Sequence, residues 1–275
     1  MNQGRATSPA GTVVAITGAG QGIGRSLALN FARHGARAVV VSDINPEAAE
    51  RVAVEVRSAG CAALCVTADI GSAADCTALV AQTVQAFGRL DVMLCNAGIM
   101  QLKPLMTLEG DDWDRMMAVN VKGTFLTLQA AARHMLTQAP LAEGRPRGKI
   151  ITMASIAGRS GAGPIAALIA PYRASKAAVI SLTQSAAFTF APEITVNAIC
   201  PGLVETDMWK RMDRDWSAIA GMATGEIWKQ RVATVPMGRP QQPDDVANMA
   251  LFLASAASDY MTGQSINIDG GLMMN

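Results

Sequence analysis

The stretch VVAITGAGQGIG at residues 13–24 joins a short apolar run to a glycine-rich turn. Val13 to Thr17 predicts a buried strand, and helical sequence then runs from Gly22 to His34. Glycine at such a junction lets the backbone approach a pyrophosphate closely, and the start of the helix supplies N–H donors. The spacing is G-x-x-x-G-x-G, and its position between a strand and a helix predicts a dinucleotide-binding turn.

Apolar and helical segments alternate along the rest of the chain. Further strands are predicted at 38–42, 62–67, 90–95, 149–153, 194–199 and 265–268. Strands that alternate with helices form a parallel sheet covered on both faces. We therefore expect an α/β fold, a single Rossmann-like doubly wound parallel sheet of about seven strands. The domain is expected to span residues 11–275, with a flexible tail at 1–10 and a helical substrate-lid insertion at about 203–238.

Asp43 ends the second predicted strand, 19 residues after Gly24. A carboxylate at this place accepts hydrogen bonds from the adenosine ribose hydroxyls and repels a 2′-phosphate. Neither Gln21 nor Ile44 supplies a positive charge that would hold such a phosphate. The sequence therefore predicts NAD(H) rather than NADP(H) as the cofactor. The alternative interpretation of Asp43 is a helix-capping or turn aspartate.

Tyr172 and Lys176 lie four residues apart in a predicted helix, so both side chains project from one face. A nearby ammonium stabilises a phenolate, whose parent phenol ordinarily titrates at about pH 10. A pKa lowered by about three units would make the tyrosine a usable base at neutral pH. An isolated Tyr-x-x-x-Lys is more often a surface helix pair. Following a dinucleotide turn, it indicates proton abstraction coupled to hydride transfer.

Composition argues against several classes of protein. The formal net charge is +1, so nucleic-acid binding is not expected, and no apolar run is long enough to span a bilayer. Five scattered cysteines argue against a disulfide framework, and Cys61 and Cys65 lack a second pair to complete a metal site. The two histidines, His34 and His134, have the sequence context of a helix surface. We expect a cytoplasmic protein that holds no metal.

These motifs resemble those of the short-chain dehydrogenase/reductase family, from Gly11 to the last residue. Residues 17–24 look like its cofactor turn, residues 95–98 like its Asn-Ala-Gly strand end, and residues 260–271 follow its C-terminal pattern. The resemblance implies that Asp69 contacts the adenine and that Asn96 lies beside the adenosine ribose. The implied cofactor site comprises Gly18, Gln21, Gly22, Ile23, Gly24, Asp43, Asp69, Ile70, Asn96, Ala97, Gly98, Tyr172, Lys176, Pro201, Gly202, Val204 and Thr206.

The same resemblance implies four catalytic residues, Asn120, Ser155, Tyr172 and Lys176. Tyr172 is expected to take the alcohol proton as general base, or to return it in reduction. Lys176 is expected to lower the Tyr172 pKa and to hydrogen-bond the nicotinamide ribose. Ser155 would stabilise the developing alkoxide, and Asn120 would hold a water that relays the proton to solvent.

The interval between Ser155 and Tyr172 departs from the family pattern. The stretch 158–170 is roughly four residues longer than usual, and such insertions fall in loops. Its extra residues are small or apolar, and we expect them to line the substrate pocket or to bulge over it. Ser160 is the alternative candidate for the role of Ser155, whereas Ser175 belongs to the segment between Tyr172 and Lys176.

The predicted insertion contains an apolar helical stripe that repeats every four residues at Met208, Met212 and Trp216. The opposite, charged face is predicted from Arg211, Asp213, Arg214 and Asp215. One interpretation is a mobile lid over the substrate, hinged at Gly221 and Gly225. The other is a packed helix pair or an oligomer contact.

The predicted pocket has no obvious basic cluster, because Lys210 and Arg211 are expected to be solvated. A neutral secondary alcohol, polyol or diol, or its ketone, is therefore the predicted substrate. The insertion and the C-terminal run most resemble polyol and vicinal-diol members of the family, such as sorbitol or butanediol dehydrogenases. The alternatives are a 3-oxoacyl-thioester reductase and a non-catalytic NAD-binding scaffold. The resemblance also implies a homotetramer.

Overall fold

The computed structural model describes residues 8–140, 142–160, 163 and 165–274. Its strands are β1 (Val13–Thr17), β2 (Ala38–Asp43), β3 (Ala62–Thr67), β4 (Val92–Cys95), β5 (Gly148–Met153), β6 (Ile194–Pro201) and β7 (Ser265–Ile268). They form one parallel sheet in the order β3-β2-β1-β4-β5-β6-β7. The predicted α/β class and doubly wound sheet are confirmed. Residues 1–7 of the predicted tail, and 161, 162 and 164 of the lengthened loop, lie outside the described residues.

The helices that follow the strands are α1 (Gly22–Arg33), α2 (Pro46–Ser58), α3 (Ala73–Phe87), α4 (Gly110–Met117), α5 (Thr124–Met135), α6 (Ala170–Phe190), α7 (Asp207–Ala220), α8 (Glu226–Ala233) and α9 (Pro243–Ala254). A π-helical segment, Ala118–Gly123, joins α4 to α5. Helices α7 and α8 lie within the predicted insertion, between β6 and β7. In the described part of the chain, no helix is long and apolar enough to cross a membrane.

Local signals decide where these helices begin. The Asn45 side chain accepts a hydrogen bond from the Ala48 N–H at 3.1 Å, and Pro46 occupies the first turn of α2. The Ser72 hydroxyl caps α3 in the same way, accepting from the Asp75 N–H at 3.2 Å. Such caps satisfy N–H groups that have no partner inside the helix.

Both faces of the sheet are buried because successive side chains of a strand point to opposite faces. In β1, Val14 and Ile16 pack with apolar side chains of α1, α2 and α9. Ala15, between them, packs in the other core with α3, α5 and the end of α6. The continuous apolar runs of the central strands therefore reflect burial on both faces.

The order of the strands reverses beside β1, which pairs with β2 on one side and with β4 on the other. In open parallel sheets, the crevice at the carboxyl ends of two such strands is the usual place for a ligand. At the opposite end of β1 and β4, the buried carboxylate of Asp91, which precedes β4, accepts a hydrogen bond from the Val13 N–H of β1 at 2.8 Å. The fold thus places the glycine turn after β1 next to the residues that follow β4.

Helices α7 and α8 pack over a small apolar cluster of their own. Met212 and Trp216 are buried there with Ile227 of α8, as the helical stripe predicts, whereas Met208 is 39% exposed. The assignment of Asp213 to the charged outer face is wrong, because this residue is only 4% exposed. Its carboxylate accepts hydrogen bonds from the backbone N–H groups of Gly225, at 2.5 Å, and Trp228, at 2.7 Å.

The Asp213 carboxylate thereby holds the start of α8 against α7, so Gly225 is tethered. This contact favours a packed helix pair over a hinge at that position. Replacing Asp213 with Ala leaves two N–H groups without their acceptor, and we expect a loss of about 2–3 kcal/mol in the free energy of unfolding. Denaturant unfolding measures this loss.

The matched control for D213A is D215A, which removes an exposed carboxylate from the same helix. A surface substitution of this kind changes stability by less than about 0.5 kcal/mol. Equal losses in the two variants would show that Asp213 has no special role in joining α7 to α8.

Candidate active site

A cleft of about 690 Å³ opens at the carboxyl ends of β1, β4, β5 and β6. Among the predicted site residues, only Asn120 does not line it. Those that do are Gly18, Gln21, Gly22, Ile23, Gly24, Asp43, Asp69, Ile70, Asn96, Ala97, Gly98, Ser155, Tyr172, Lys176, Pro201, Gly202, Val204 and Thr206. The structure thus brings together in one crevice residues that are scattered over most of the sequence.

The turn after β1 is tied to the end of β4 by short hydrogen bonds. The Asn96 side-chain amide donates to the carbonyl oxygens of Thr17 (2.9 Å) and Gly18 (3.1 Å). A Cβ added to Gly24 would lie 2.0 Å from the Gly18 oxygen and 2.8 Å from the Asn96 amide nitrogen. Only glycine therefore fits at residue 24, and the N-terminus of α1 is left directed at the cleft. This arrangement suits the pyrophosphate of a dinucleotide.

The position of Asp43 is compatible with both interpretations that the sequence left open. Its carboxylate accepts from the backbone N–H groups of Gly20 (2.9 Å) and Asn45 (3.0 Å), which makes it a turn aspartate. The same half-buried side chain lines the cleft. Because a carboxylate has about four acceptor positions, two accepted bonds leave capacity for the hydroxyls of a ribose.

Lys176 is only 4% exposed, and its ammonium donates to the Met153 carbonyl oxygen at 2.7 Å. The same nitrogen lies 5.6 Å from the centre of the Tyr172 ring. Burial lowers the pKa of Lys176 to about 8. Burial also raises the pKa of Tyr172, while a hydrogen bond from Ser155 acts in the opposite direction. The net Tyr172 shift is opposite to the predicted one, because desolvation of the phenol dominates here.

Ser155 lies two residues after the end of β5, and its hydroxyl accepts from the Ala157 N–H at 3.1 Å. A Cβ on Gly158 would lie 2.6 Å from the backbone carbonyl carbon of Lys176, so glycine lets this turn pack closely against α6. That close packing brings Ser155 to Tyr172, whose pKa it lowers through a hydrogen bond. Ser160 also lines the cleft.

Asn120 lies in the π-helical segment and is completely buried behind the cleft. Its side-chain oxygen accepts from the Ile99 N–H at 2.8 Å, and its amide donates to the Ile99 carbonyl at 2.9 Å. The amide also lies 3.0 Å from the Ser175 hydroxyl of α6. Asn120 therefore joins the segment after β4 to the helix that carries Tyr172.

The depressed pKa of Lys176 predicts a pH-dependent contribution to stability. Between about pH 8 and pH 10.5 the unfolded chain binds more protons at this residue than the folded one, so this contribution rises with pH. Relative to K176M, wild type is expected to gain about 3 kcal/mol in unfolding free energy across that window. Denaturant unfolding at several pH values tests this, with K229M, an exposed lysine, as the control. A wild-type advantage that does not change with pH would contradict the prediction.

Ile165 and Ile169 of the lengthened loop line the cleft, as one of the two expectations for this loop had it. Leu272 and Met273, near the C-terminus, also line the cleft and were not singled out from the sequence. Arg231 of α8 lines it as well. The sequence could have predicted the position of Arg231, because it follows the buried Ile227 by four residues and so shares that face of the helix.

A family model described as enoyl-(acyl carrier protein) reductase matches residues 18–273. A crystal structure of a short-chain type dehydrogenase/reductase from Mycobacterium marinum is 34% identical, with a TM-score of 0.85 and 98% of each chain covered. The chain belongs to the short-chain dehydrogenase/reductase family. The family assignment made from the sequence motifs is therefore confirmed.

Other members of the short-chain dehydrogenase/reductase family are also similar to this chain over nearly its whole length. Sorbitol dehydrogenase from Cereibacter sphaeroides is 41% identical over 266 residues, which are 96% of this chain and 98% of the relative. The crystal structure of NAD⁺-bound xylitol dehydrogenase is 33% identical, with a TM-score of 0.87. That alignment covers 95% of this chain and 99% of the other.

Proposed function

We propose that the chain is an NAD-dependent dehydrogenase that oxidises a neutral secondary alcohol, with a polyol or vicinal diol as its substrate class, or reduces the matching ketone. The observation that carries this proposal is the meeting of Tyr172, Ser155 and Lys176 with the glycine turn and Asp43 in one cleft. The predicted enzyme class and the NAD cofactor are confirmed by the named relatives.

The residues present fit a bound dinucleotide, because the turn at Gly24 has no room for a side chain and Asp43 retains acceptor capacity. The nicotinamide supplies the hydride acceptor when the dinucleotide is bound. In oxidation, the Tyr172 phenolate oxygen takes the alcohol proton, while the Ser155 hydroxyl turns from Tyr172 and donates its single proton to the oxygen that becomes the carbonyl. The Lys176 ammonium stabilises the phenolate by its charge. In reduction, the Tyr172 phenol returns the proton.

The alternative, a 3-oxoacyl-thioester reductase, shares only a carrier-bound thioester substrate with the family model's description, because an enoyl reductase acts on a carbon–carbon double bond. Against it stands Asp43, whose charge opposes the 2′-phosphate of NADPH. The scaffold alternative assigns no chemistry to Tyr172 and so predicts no turnover with any substrate.

A panel assay distinguishes these functions. NADH formation is measured with polyols, vicinal diols and aryl alcohols, and NADPH consumption with an acetoacetyl thioester. We expect turnover with polyols or diols in the presence of NAD⁺. Turnover of the thioester alone would favour the reductase, and no turnover of any compound would favour the scaffold.

The cofactor preference provides a separate prediction. D43N removes the negative charge while keeping one carbonyl acceptor for a backbone N–H. At an effective dielectric constant of about 20, like charges about 5 Å apart repel by roughly 3 kcal/mol. We therefore expect the ratio of kcat/KM for NADP⁺ to that for NAD⁺ to rise at least about tenfold in D43N.

The control for D43N is D69N, which removes a second carboxylate from the same cleft. The proposed contact of Asp69 is to the adenine, so its removal leaves the discrimination largely intact. A wild-type enzyme that prefers NADP⁺, or equal changes in the two variants, would refute the role of Asp43.

We also infer that residues 11–275 act as a single cytoplasmic domain that assembles as a homotetramer. The five cysteines are free, which suits a reducing compartment. Phe188 of α6 is 91% exposed and Phe125 of α5 is 39% exposed, and apolar side chains of this size favour a contact with another subunit. Light scattering that shows a monomer would overturn the tetramer.

A further inference from the structure

Arg231, near the end of α8, lines the cleft, and its guanidinium forms no ion pair with any described residue. Its Nε is buried and, within the described part of the chain, has no hydrogen-bond partner. Burial lowers its pKa, and no carboxylate of the described residues opposes this shift. Even a half-buried charge is costly to desolvate unless it is paired, so this guanidinium remains able to bind an anion.

Other arginines of the described structure contrast with Arg231. Arg145 pairs with Asp259 at 2.8 Å, and Arg239 pairs with Asp245 at 2.7 Å. These guanidinium groups have carboxylate partners on the protein itself. A group that points into a cleft without one is available to a ligand.

The carboxylates that line the cleft do not neutralise this end of it. Asp43 and Asp69 follow β2 and β3, on the side proposed for the adenosine. Asp207, at the start of α7, pairs with Lys210 at 3.0 Å. Among the described residues that line the cleft, no carboxylate pairs with Arg231, so its charge stays uncompensated at the substrate end.

The surroundings of Arg231 strengthen any charge interaction made there. Trp209 and Met212 line the same part of the cleft, and the Trp209 ring lies 5.2 Å from that of Trp228, which precedes Arg231 by three residues in α8. Apolar walls exclude water and lower the local dielectric constant, so an ion pair is stronger there than at the protein surface. A guanidinium also matches a carboxylate with two parallel hydrogen bonds.

We propose that Arg231 binds a carboxylate of the substrate, so that the enzyme also oxidises polyhydroxy acids and binds them more tightly than neutral polyols of the same length. This inference rests on the proposed function, because the hydroxyl that reacts is still the one presented to Tyr172. The carboxylate takes no part in the hydride or proton transfer. Its contribution is to binding and to the choice of which hydroxyl reaches Tyr172.

Steady-state kinetics with matched pairs, sorbitol with gluconate and xylitol with xylonate, test the proposal. In the wild-type enzyme, we expect the KM for each acid to be lower than the KM for the polyol of the same length. In R231M, the KM for the acid is expected to rise at least about tenfold more than the KM for the polyol, as for the loss of a hydrogen bond to a charged group. K229M, which removes an exposed lysine two residues away on α8, is expected to leave both KM values unchanged.

A binding measurement separates this proposal from the proposed function. Calorimetric titration of gluconate and xylonate into the NAD⁺ complex of Y172F needs no turnover, and we expect binding that R231M in the same background weakens at least about tenfold. Equal KM values for acid and polyol, or equal changes of KM in R231M and K229M, would refute carboxylate binding by Arg231. Neither result would contradict the proposed oxidation of polyols. If acids bind but no alcohol is oxidised, the proposed function fails and the anion site stands.

Discussion

Replacing Tyr172 with Phe is expected to lower kcat for alcohol oxidation by roughly 10³-fold, within the range typical for loss of a general base. The substitution removes only the hydroxyl, so the ring can keep its position 5.6 Å from the Lys176 ammonium. The Tyr172 hydroxyl hydrogen-bonds Ser155, so it is the group placed to accept the proton. The measurement is the rate of NADH formation with the best polyol of the panel.

Two controls make the Y172F result specific. The variant should bind NAD⁺ within about tenfold of wild type, measured by calorimetry, because the glycine turn and Asp43 are unchanged and at most one hydrogen bond to the cofactor is lost. Its unfolding free energy should fall by no more than about 1 kcal/mol, the usual contribution of one hydrogen bond. Turnover that survives in Y172F at the wild-type rate would refute the mechanism.

The second large effect is expected for S155A, with a decrease in kcat of about 10²- to 10³-fold, as found when one oxyanion donor is removed. In the free enzyme, Ser155 also lowers the pKa of Tyr172 through its hydrogen bond. Removing that bond raises the pKa of the phenol, so the rising limb of the pH profile of kcat/KM for oxidation should move to higher pH. A purely structural role of Ser155 would lower activity without moving this limb.

S160A is the matched variant, since Ser160 lines the same cleft and follows the same strand by five more residues. We expect its kcat to stay within about threefold of wild type and its pH profile to be unshifted, because the hydrogen bond to Tyr172 comes from Ser155. An active S155A together with an inactive S160A would reverse the assignment.

The pattern-based predictions succeeded where a residue type has one physical use. Residue 24 must be glycine because a Cβ would collide with the Gly18 oxygen, and a strand-turn-helix sequence is sufficient to predict this. The alternation of apolar runs with helical segments predicted the seven strands, since each side of the sheet needs its own apolar residues. Whether a charged residue is buried or exposed was harder to predict, as Asp213 shows. A helical repeat assigns a residue to a face, but not to the partner that face meets.

The sequence by itself determined the parallel sheet, the dinucleotide turn and the pairing of Tyr172 with Lys176, because each follows from local geometry and from spacing along one element. Only the tertiary structure decided which polar groups lose water. Burial raised the pKa of Tyr172 where charge alone predicted the reverse, and folding left Arg231 in the cleft without a carboxylate partner among the described residues. Desolvation depends on segments that are distant in the chain and adjacent in space, so it becomes visible only once they are packed together.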